Sequence, residues 1–281
     1  MKNILVPTDF SDNSWNAIEY ALSFFKDTIS NFYLLHVTAL SNYVGGEPVL
    51  VPAIDTIEVT LVKEARTKLL NLVKKIKLNP LSANHNFITI TSSDYFVDAI
   101  RKQIIEKKID LVVMGTKGAS GLKQVIIGSN TGDLITKVKC PVLVVPEKAN
   151  FRAPKEIAFP TDFNLFYHTR ILKNITEVSH MFDASIRILH VAKKDEVLTA
   201  FQQENKDYLH DFFMDEKHSF HKITNKKIDA GVQCFVESRD IDLIIMIAKN
   251  LNLFQQILFK PAVEEISYHT DIPFLVLHEL N

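Results

Sequence analysis

The sequence is sparing with cysteine, with long apolar runs, with any excess of one charge and, most of all, with glycine. Its 281 residues include two cysteines, Cys140 and Cys234, too few for a disulfide scaffold. Cys140 precedes a proline at a strand start, and Cys234 sits in an apolar helical stretch with Val232, Phe235 and Val236; both read as buried free thiols. No stretch approaches the roughly 18 uninterrupted apolar residues of a membrane span, and the opening Met1-Lys2-Asn3-Ile4 lacks the pattern of a secretory signal. Lys and Arg total 32 against 33 Asp and Glu, a formal net charge of −1, where a nucleic-acid binder would show a basic excess. A soluble, cytoplasmic protein with neither membrane nor nucleic acid as partner is the expectation. Hydrophobic residues at 47% and charged residues at 23% are ordinary for a globular chain, and the length suggests two domains. Of only eight glycines, five fall between Gly115 and Gly132.

The chain repeats itself. Pro7-Thr8-Asp9-Phe10 recurs as Pro160-Thr161-Asp162-Phe163, an offset of 153, and Leu35-His36-Val37 recurs as Leu189-His190-Val191, an offset of 154. Asp110-Leu111 then matches Asp242-Leu243, Gln124 matches Gln256 and Pro141 matches Pro273, all at an offset of 132. The first copy therefore carries an insertion between His36 and Asp110. Thr38 to Pro52, punctuated by Gly45-Gly46, Pro48 and Pro52, is where it reads as loop. The polar segment from Pro146 to Pro154 reads as a linker, which divides the chain into domains 1–148 and 154–281.

Short apolar runs alternate with helical stripes. Ile4 to Val6, Phe32 to Val37, Phe87 to Ile90, Leu111 to Met114 and Val142 to Val145 suit parallel strands buried on both faces. The second copy offers Ile157 to Phe159, Ile186 to Val191, Phe220 to Ile223, Leu243 to Ile247 and Phe274 to Leu277. Between the first strands lie three stripes spaced by three and four: Ala17, Ile18, Ala21, Leu22 and Phe25; Ile57 to Ile76; and Val97, Ile100 and Ile104. Ser11 or Asp12, and Ser93 or Asp94, stand where the first and third helices need caps. Right-handed crossovers then give each half an open, five-stranded, mostly parallel α/β sheet with helices on both faces.

In such a sheet ligands bind beyond the carboxyl ends of the strands, near the reversal of strand order. There Leu111-Val112-Val113-Met114 runs into Gly115-Thr116-Lys117-Gly118, and nine residues later Gly128-Ser129-Asn130-Thr131 precedes a helix containing Leu134, Ile135 and Val138. Glycines at 115 and 118 permit positive φ and close approach of backbone to a ligand. Gly128 and Ser129 offer N–H groups and a hydroxyl at a helix N-terminus, which favours phosphate, and Lys117 and Lys123 add positive charge. Neither G-x-x-x-x-G-K-[ST] nor G-x-G-x-x-G is present.

The spacing Gly115-x2-Gly118-x9-Gly128-Ser129 resembles the signature of the universal stress protein family, G-x2-G-x9-G-[ST]. The opening Val6-Pro7-Thr8-Asp9-Phe10-Ser11 and the closing Cys140-Pro141-Val142-Leu143-Val144-Val145-Pro146 are similar to that family too. The resemblance spans nearly the whole chain as a tandem pair. It implies a Rossmann-like, adenine nucleotide alpha hydrolase-like fold that holds ATP or another adenine nucleotide, with Mg able to bridge the phosphates. Position by position, it assigns Asp9 to the adenosine, the backbone of Val37 to the adenine edge, and Gly115, Gly118, Gly128, Ser129, Asn130 and Thr131 to ribose and phosphates. Pro7, Thr8, Met114 and Lys117 complete the candidate set. Asn130 departs from the more usual apolar or small residue, although its backbone N–H is unaffected. The resemblance also implies domains that pair through their last strands, here Val142 to Val145 with Phe274 to Leu277, and it leaves room for a homodimer.

In the second copy Gly115 maps to Ile247, Gly118 to Asn250, Gly128 to Lys260 and Ser129 to Pro261. That removes the glycines and one N–H, so this half reads as a structural partner; Lys260 holding a different anion is the alternative. His36 and His190 read as packing residues, Trp15 likewise, Lys74 to Lys77 as a solvated helix end, and His218 and His221 as no zinc site. The functional expectation is a stress-responsive, ATP-binding sensor or binding module. Its rivals are a slow ATPase or self-phosphorylating enzyme, and an interaction scaffold without ligand.

Overall fold

Runs of branched and aromatic residues form the strands, and the period-3.6 stripes form the helices that cover them. The computed structural model describes residues 1–38, 51–116, 129–248 and 271–278, with the backbone alone for 51–58. Among the described residues are seven α-helices and ten strands, in two compact units.

The first unit contains β1 (Lys2–Pro7), β2 (Ser30–Val37), β3 (His85–Ser92) and β4 (Leu111–Gly115), in the spatial order β3-β2-β1-β4. All of its strand pairs are parallel, in registers such as Ile4↔Phe32, Phe32↔Phe87 and Ile4↔Leu111. Ile4, Leu5, Val6, Leu34, Leu35, Val112 and Val113 are fully buried in the sheet. Helix α1 (Asp12–Phe24) starts where expected: Ser11 caps it, its Oγ accepting the Ser14 N–H at 3.2 Å. Its buried face is the anticipated stripe of Ala17, Ile18, Ala21 and Leu22. Helix α2 (Val51–Lys77) lays its last turn against α1, with Lys75 Nζ 3.5 Å from the centre of the Trp15 ring. Lys74, Lys75 and Lys77 are exposed at the helix end, as expected; the cation–π contact adds a partner for Lys75, and Trp15 does pack.

Helix α3 (Phe96–Lys107) starts differently from expectation. Its cap position is Tyr95, with no side-chain cap bond. Ser92 and Asp94 use their polar atoms on each other instead: Ser92 Oγ donates to Asp94 Oδ2 at 2.8 Å and accepts the Asp94 N–H at 3.2 Å. Helix α4 (Ser129–Lys137) completes the unit and buries Leu134 and Ile135.

The second unit runs β8-β7-β6-β9-β10 in parallel: β6 (Glu156–Pro160), β7 (Ser185–Ala192), β8 (His218–Thr224), β9 (Leu243–Ile247) and β10 (Phe274–Leu277). Its helices are α5 (Thr169–Phe182), α6 (Ala200–Phe212) and α7 (Ile228–Ser238). Strand β5 (Val142–Val145) belongs to this unit by its contacts. It pairs antiparallel with β10 through Val142↔Val276, Leu143↔Leu275 and Val144↔Phe274, and every residue of both strands is buried. Cys140 is buried as expected, and burial followed by the nearby Asp110 charge pushes its thiol pKa up to about 12. Cys234 is a correction: it is exposed, because the buried side of α7 is taken by Gly231, Val232, Phe235 and Val236.

His85 opens β3 with its ring 4.9 Å from that of Phe32 and 6.4 Å from that of Phe87. Neither ring nitrogen has a hydrogen-bond partner among the described residues, and desolvation lowers its pKa below 6.5. The folded chain therefore binds this proton less readily than the unfolded chain. Stability is fully present above pH 6.5 and is lost as pH falls through that value toward the folded pKa. Urea midpoints taken at neutral pH and again below pH 6.5 should show a smaller acid loss in His85→Phe than in the parent; equal losses would refute this role.

Candidate functional site

The first strand of each unit ends in the same turn. Thr8 N–H donates to the Leu35 carbonyl at 2.8 Å, and Thr161 N–H donates to the Leu189 carbonyl at 2.8 Å. Thr8 Oγ1 accepts the Phe10 N–H at 3.1 Å, as Thr161 Oγ1 accepts the Phe163 N–H at 3.0 Å. Both phenylalanines are held in the left-handed region, Phe10 at φ 65° and Phe163 at φ 58°, an uncommon conformation for a bulky residue. His36 Nδ1 lies 2.7 Å from the Thr8 carbonyl and His190 Nδ1 lies 3.0 Å from the Thr161 carbonyl. A carbonyl can only accept, so Nδ1 carries the hydrogen in each ring. His36 also packs on Phe10 with ring centres 4.5 Å apart. The histidines pack, and in addition they fasten the turn; a repeated Leu-His-Val at two strand ends was the signal for it.

In the first unit the turn aims Asp9 at the carboxyl end of the sheet. Asp9 Oδ1 accepts from the Ser11 N–H at 3.1 Å and the Ser11 hydroxyl at 2.6 Å. Ser14 Oγ donates to the Ser11 carbonyl at 2.9 Å, so the Thr8 hydroxyl, 3.0 Å from Ser14 Oγ, donates to it. Pro7 and Thr8 are buried, while Asp9, Phe10 and Val37 remain partly accessible. Val37 ends β2 in register with Ser92, and the Thr38 N–H beyond it donates to the Ser92 carbonyl at 2.8 Å.

At the other side of β1, strand β4 ends at Met114 and Gly115, both buried. Gly115 is glycine for a reason other than the expected positive φ, since its φ lies outside the left-handed region. A Cβ there would meet the Asn13 side chain of α1, 2.7 Å from Oδ1 and 2.8 Å from Cγ. Asn13 was missed because no local pattern announces a contact between a helix start and a strand 102 residues later. Thr131 is buried and its hydroxyl donates to the Gly115 carbonyl at 3.0 Å, which ties the first turn of α4 to the end of β4. Ser129 and Asn130 are exposed at the start of α4. The structure thus gathers Pro7, Thr8, Asp9, Val37, Met114, Gly115, Ser129, Asn130 and Thr131 around the switch in strand order between β1 and β4. Lys117, Gly118, Lys123 and Gly128 lie outside the described residues.

The corresponding region of the second unit is laced differently. Gln202 Nε2 donates to the Asp162 carbonyl and Asn205 Nδ2 to the Phe163 carbonyl, each at 2.8 Å. Both amides are buried side chains of α6. The Thr161 hydroxyl is bonded to the buried Tyr167 hydroxyl, where the first unit has Ser14. Phe163 is buried, and Ile247, in the place of Gly115, is buried too. Asn250, Gln256, Lys260 and Pro261 fall outside the described residues. Among the described residues no cluster of three or more His, Cys, Asp or Glu could hold a metal. His218 instead meets His210, Nε2 to Nδ1 at 3.3 Å, and His221 Nε2 meets Ser219 Oγ at 2.8 Å.

The model of the universal stress protein family matches residues 1–146. Universal stress protein MJ0531 of Methanocaldococcus jannaschii is 33% identical over 147 residues, 51% of this chain and 81% of that protein. Universal stress protein YxiE of Bacillus subtilis is 30% identical over 147 residues, 50% of this chain and 97% of that protein. A solved universal stress protein from Archaeoglobus fulgidus covers 98% of this chain and 96% of its own, with a TM-score of 0.66 and 18% identity; that likeness shows the fold alone. No described helix is long and apolar enough to cross a membrane.

Gly115→Ala should destabilise the chain by about 1–3 kcal/mol through overpacking against Asn13. In the Asn13→Ala background the same change should cost at least ~1 kcal/mol less, a coupling that a double-mutant cycle of urea melts reads directly. Additive costs would show that Asn13 does not set the requirement for glycine.

Proposed function

The chain belongs to the universal stress protein family, and on that footing we propose that its first unit binds one adenine nucleotide, ATP foremost, as a stress-responsive binding module. One observation carries this reading: a carboxylate and an exposed helix N-terminus flank the same switch point from opposite sides. Asp9 stands at the end of β1, and Ser129 and Asn130 open α4 beyond β4. A ribose supplies hydroxyl donors that suit a carboxylate, and each carboxylate oxygen accepts more than one hydrogen bond. Phosphates suit the N–H groups and partial positive charge at the start of α4. The reverse orientation would set phosphates against Asp9. Val37, at the end of the neighbouring strand, offers backbone groups to the adenine edge. Mg would travel with the phosphates, since no acidic cage is built from the described residues.

In this reading the repeats, 1–148 and 154–281, have diverged in role. Gln202, Asn205 and Tyr167 lace the turn of the second unit from inside, and Ile247 occupies the place of Gly115, which favours a partner that takes no nucleotide. The antiparallel β5–β10 pair, which joins the closing strands of the two repeats, supports an internal pseudo-dimer whose apolar edges cap each other. Asp9 is engaged by Ser11, so the site offers binding and positioning rather than a base for an attacking water.

Calorimetric titration with ATP should give one site per chain. Gly128→Lys with Ser129→Pro, which transplants the second copy's residues into the first, should weaken ATP by about a hundredfold or more while leaving the circular dichroism unchanged. Unaltered affinity in that variant would reject the site. An absence of uptake of ATP, ADP and AMP alike would reject nucleotide binding and favour a scaffold.

A further inference from the structure

Independently of the nucleotide reading, we propose that the open edge of β3 is a docking groove for an extended acidic peptide of a partner protein, which adds to the sheet as a further strand. A groove of about 540 Å³ is lined by Thr89, Ile90 and Thr91 of β3, by Arg66 and Leu70 of α2, and by residues of α3 that include Lys102 and Lys107. Successive side chains of a strand point to opposite faces. A cavity that touches three in a row therefore lies beside the strand's edge, not over one face. The helices agree. The crossovers out to β3 and back to β4 place α2 and α3 on opposite faces of the sheet, and both wall the same groove.

Strand β3 is the terminal strand of its sheet, paired along its eight residues with β2 alone among the described strands. Alternate N–H and C=O groups on its other edge carry no ladder bond, which is the template that strand addition uses. The charge selects the occupant. Among the described residues Arg66, Lys102 and Lys107 line the groove with one carboxylate, Glu106, and Asp94 lies 3.8 Å from Lys102 Nζ, which leaves a basic excess in a chain whose net charge is −1. An alternating peptide would turn its acidic side chains to Lys102 and Lys107 on the α3 side. Its apolar side chains would meet Leu70, which is 56% exposed on the α2 side. Gln103 also lines the groove; it is buried, and its Oε1 has no hydrogen-bond partner among the described residues. That acceptor would suit an N–H of an added main chain.

The probe is a fluorescein-labelled octapeptide of alternating glutamate and valine, titrated into the full chain and followed by anisotropy. Saturable binding with a Kd below roughly 1 mM is expected. Lys102→Glu with Lys107→Glu should weaken it at least about tenfold at unchanged far-ultraviolet circular dichroism. N-methylation of alternate peptide nitrogens leaves the charge intact and removes main-chain donors, and should weaken it to a similar degree. Gln103→Leu should weaken the peptide yet hold or raise the melting temperature, because a buried acceptor unpartnered among the described residues is removed. The proposal is overturned by no binding at millimolar peptide, by charge-reversed protein binding equally well, or by the N-methylated peptide binding equally well. Free glutamate displacing the probe at the peptide's own concentration overturns it as well, and marks a small-anion site instead.

Discussion

In both units the main chain leaves the first strand through a phenylalanine held left-handed, and the hydrogen bond from the neighbouring strand's histidine to the threonine carbonyl keeps it there. Left-handed backbone at a non-glycine residue costs about 1–2 kcal/mol, so the turn persists only because several partners determine it together. Thr8 Oγ1 accepts the Phe10 N–H, His36 Nδ1–H donates to the Thr8 carbonyl, and the His36 ring packs on Phe10. Thr161, Phe163 and His190 repeat the arrangement. The side chain that follows threonine thereby stands at the carboxyl end of the sheet in one unit. In the other the same backbone is fastened from α6 by amides.

The two units finish the same turn with different side chains. Ser14 and Tyr167 occupy equivalent places and meet equivalent threonine hydroxyls, but serine continues a chain of bonds to Ser11 and Asp9 while tyrosine fills space and ends it. Leu69 faces the core from α2, whereas Gln202 and Asn205 of α6 reach carbonyls of the turn. Polar side chains on one helix thus fasten the turn of the second unit from inside. The fold tolerates both arrangements because the strands beneath, from Ile4 to Val6 and from Ile157 to Phe159, are buried alike. Fold and site separate cleanly here, as they do across families that share a sheet.

Much of this was legible in the residues themselves. All ten strands fall where apolar runs placed them: central strands such as β9 and β10 are buried throughout and so apolar on both faces, whereas the edge strands β3 and β8 are only partly buried, and Ser11 caps α1 as its side chain suggested. The misreadings share one cause. Asp94 does not cap α3, since it bonds Ser92 first, and Cys234 is exposed because the phase of α7 turns it outward. Each depends on the neighbour that happens to be nearest in space, and residue type alone does not name that neighbour.

The glycine at the end of β4 shows the same division. Its position in a spaced motif could be read from the chain, and with it the family, the α/β class and the candidate ligand end. The reason it must be glycine could not. It is set by Asn13 of a helix 102 positions earlier, and by a threonine whose hydroxyl closes on its carbonyl. Periodicity and motif are properties of neighbours along the chain, and they determined the elements and their order. Steric fit, the direction of hydrogen bonds and the terminal place of β3 in its sheet arise when distant segments share a volume, so only the tertiary structure decided them.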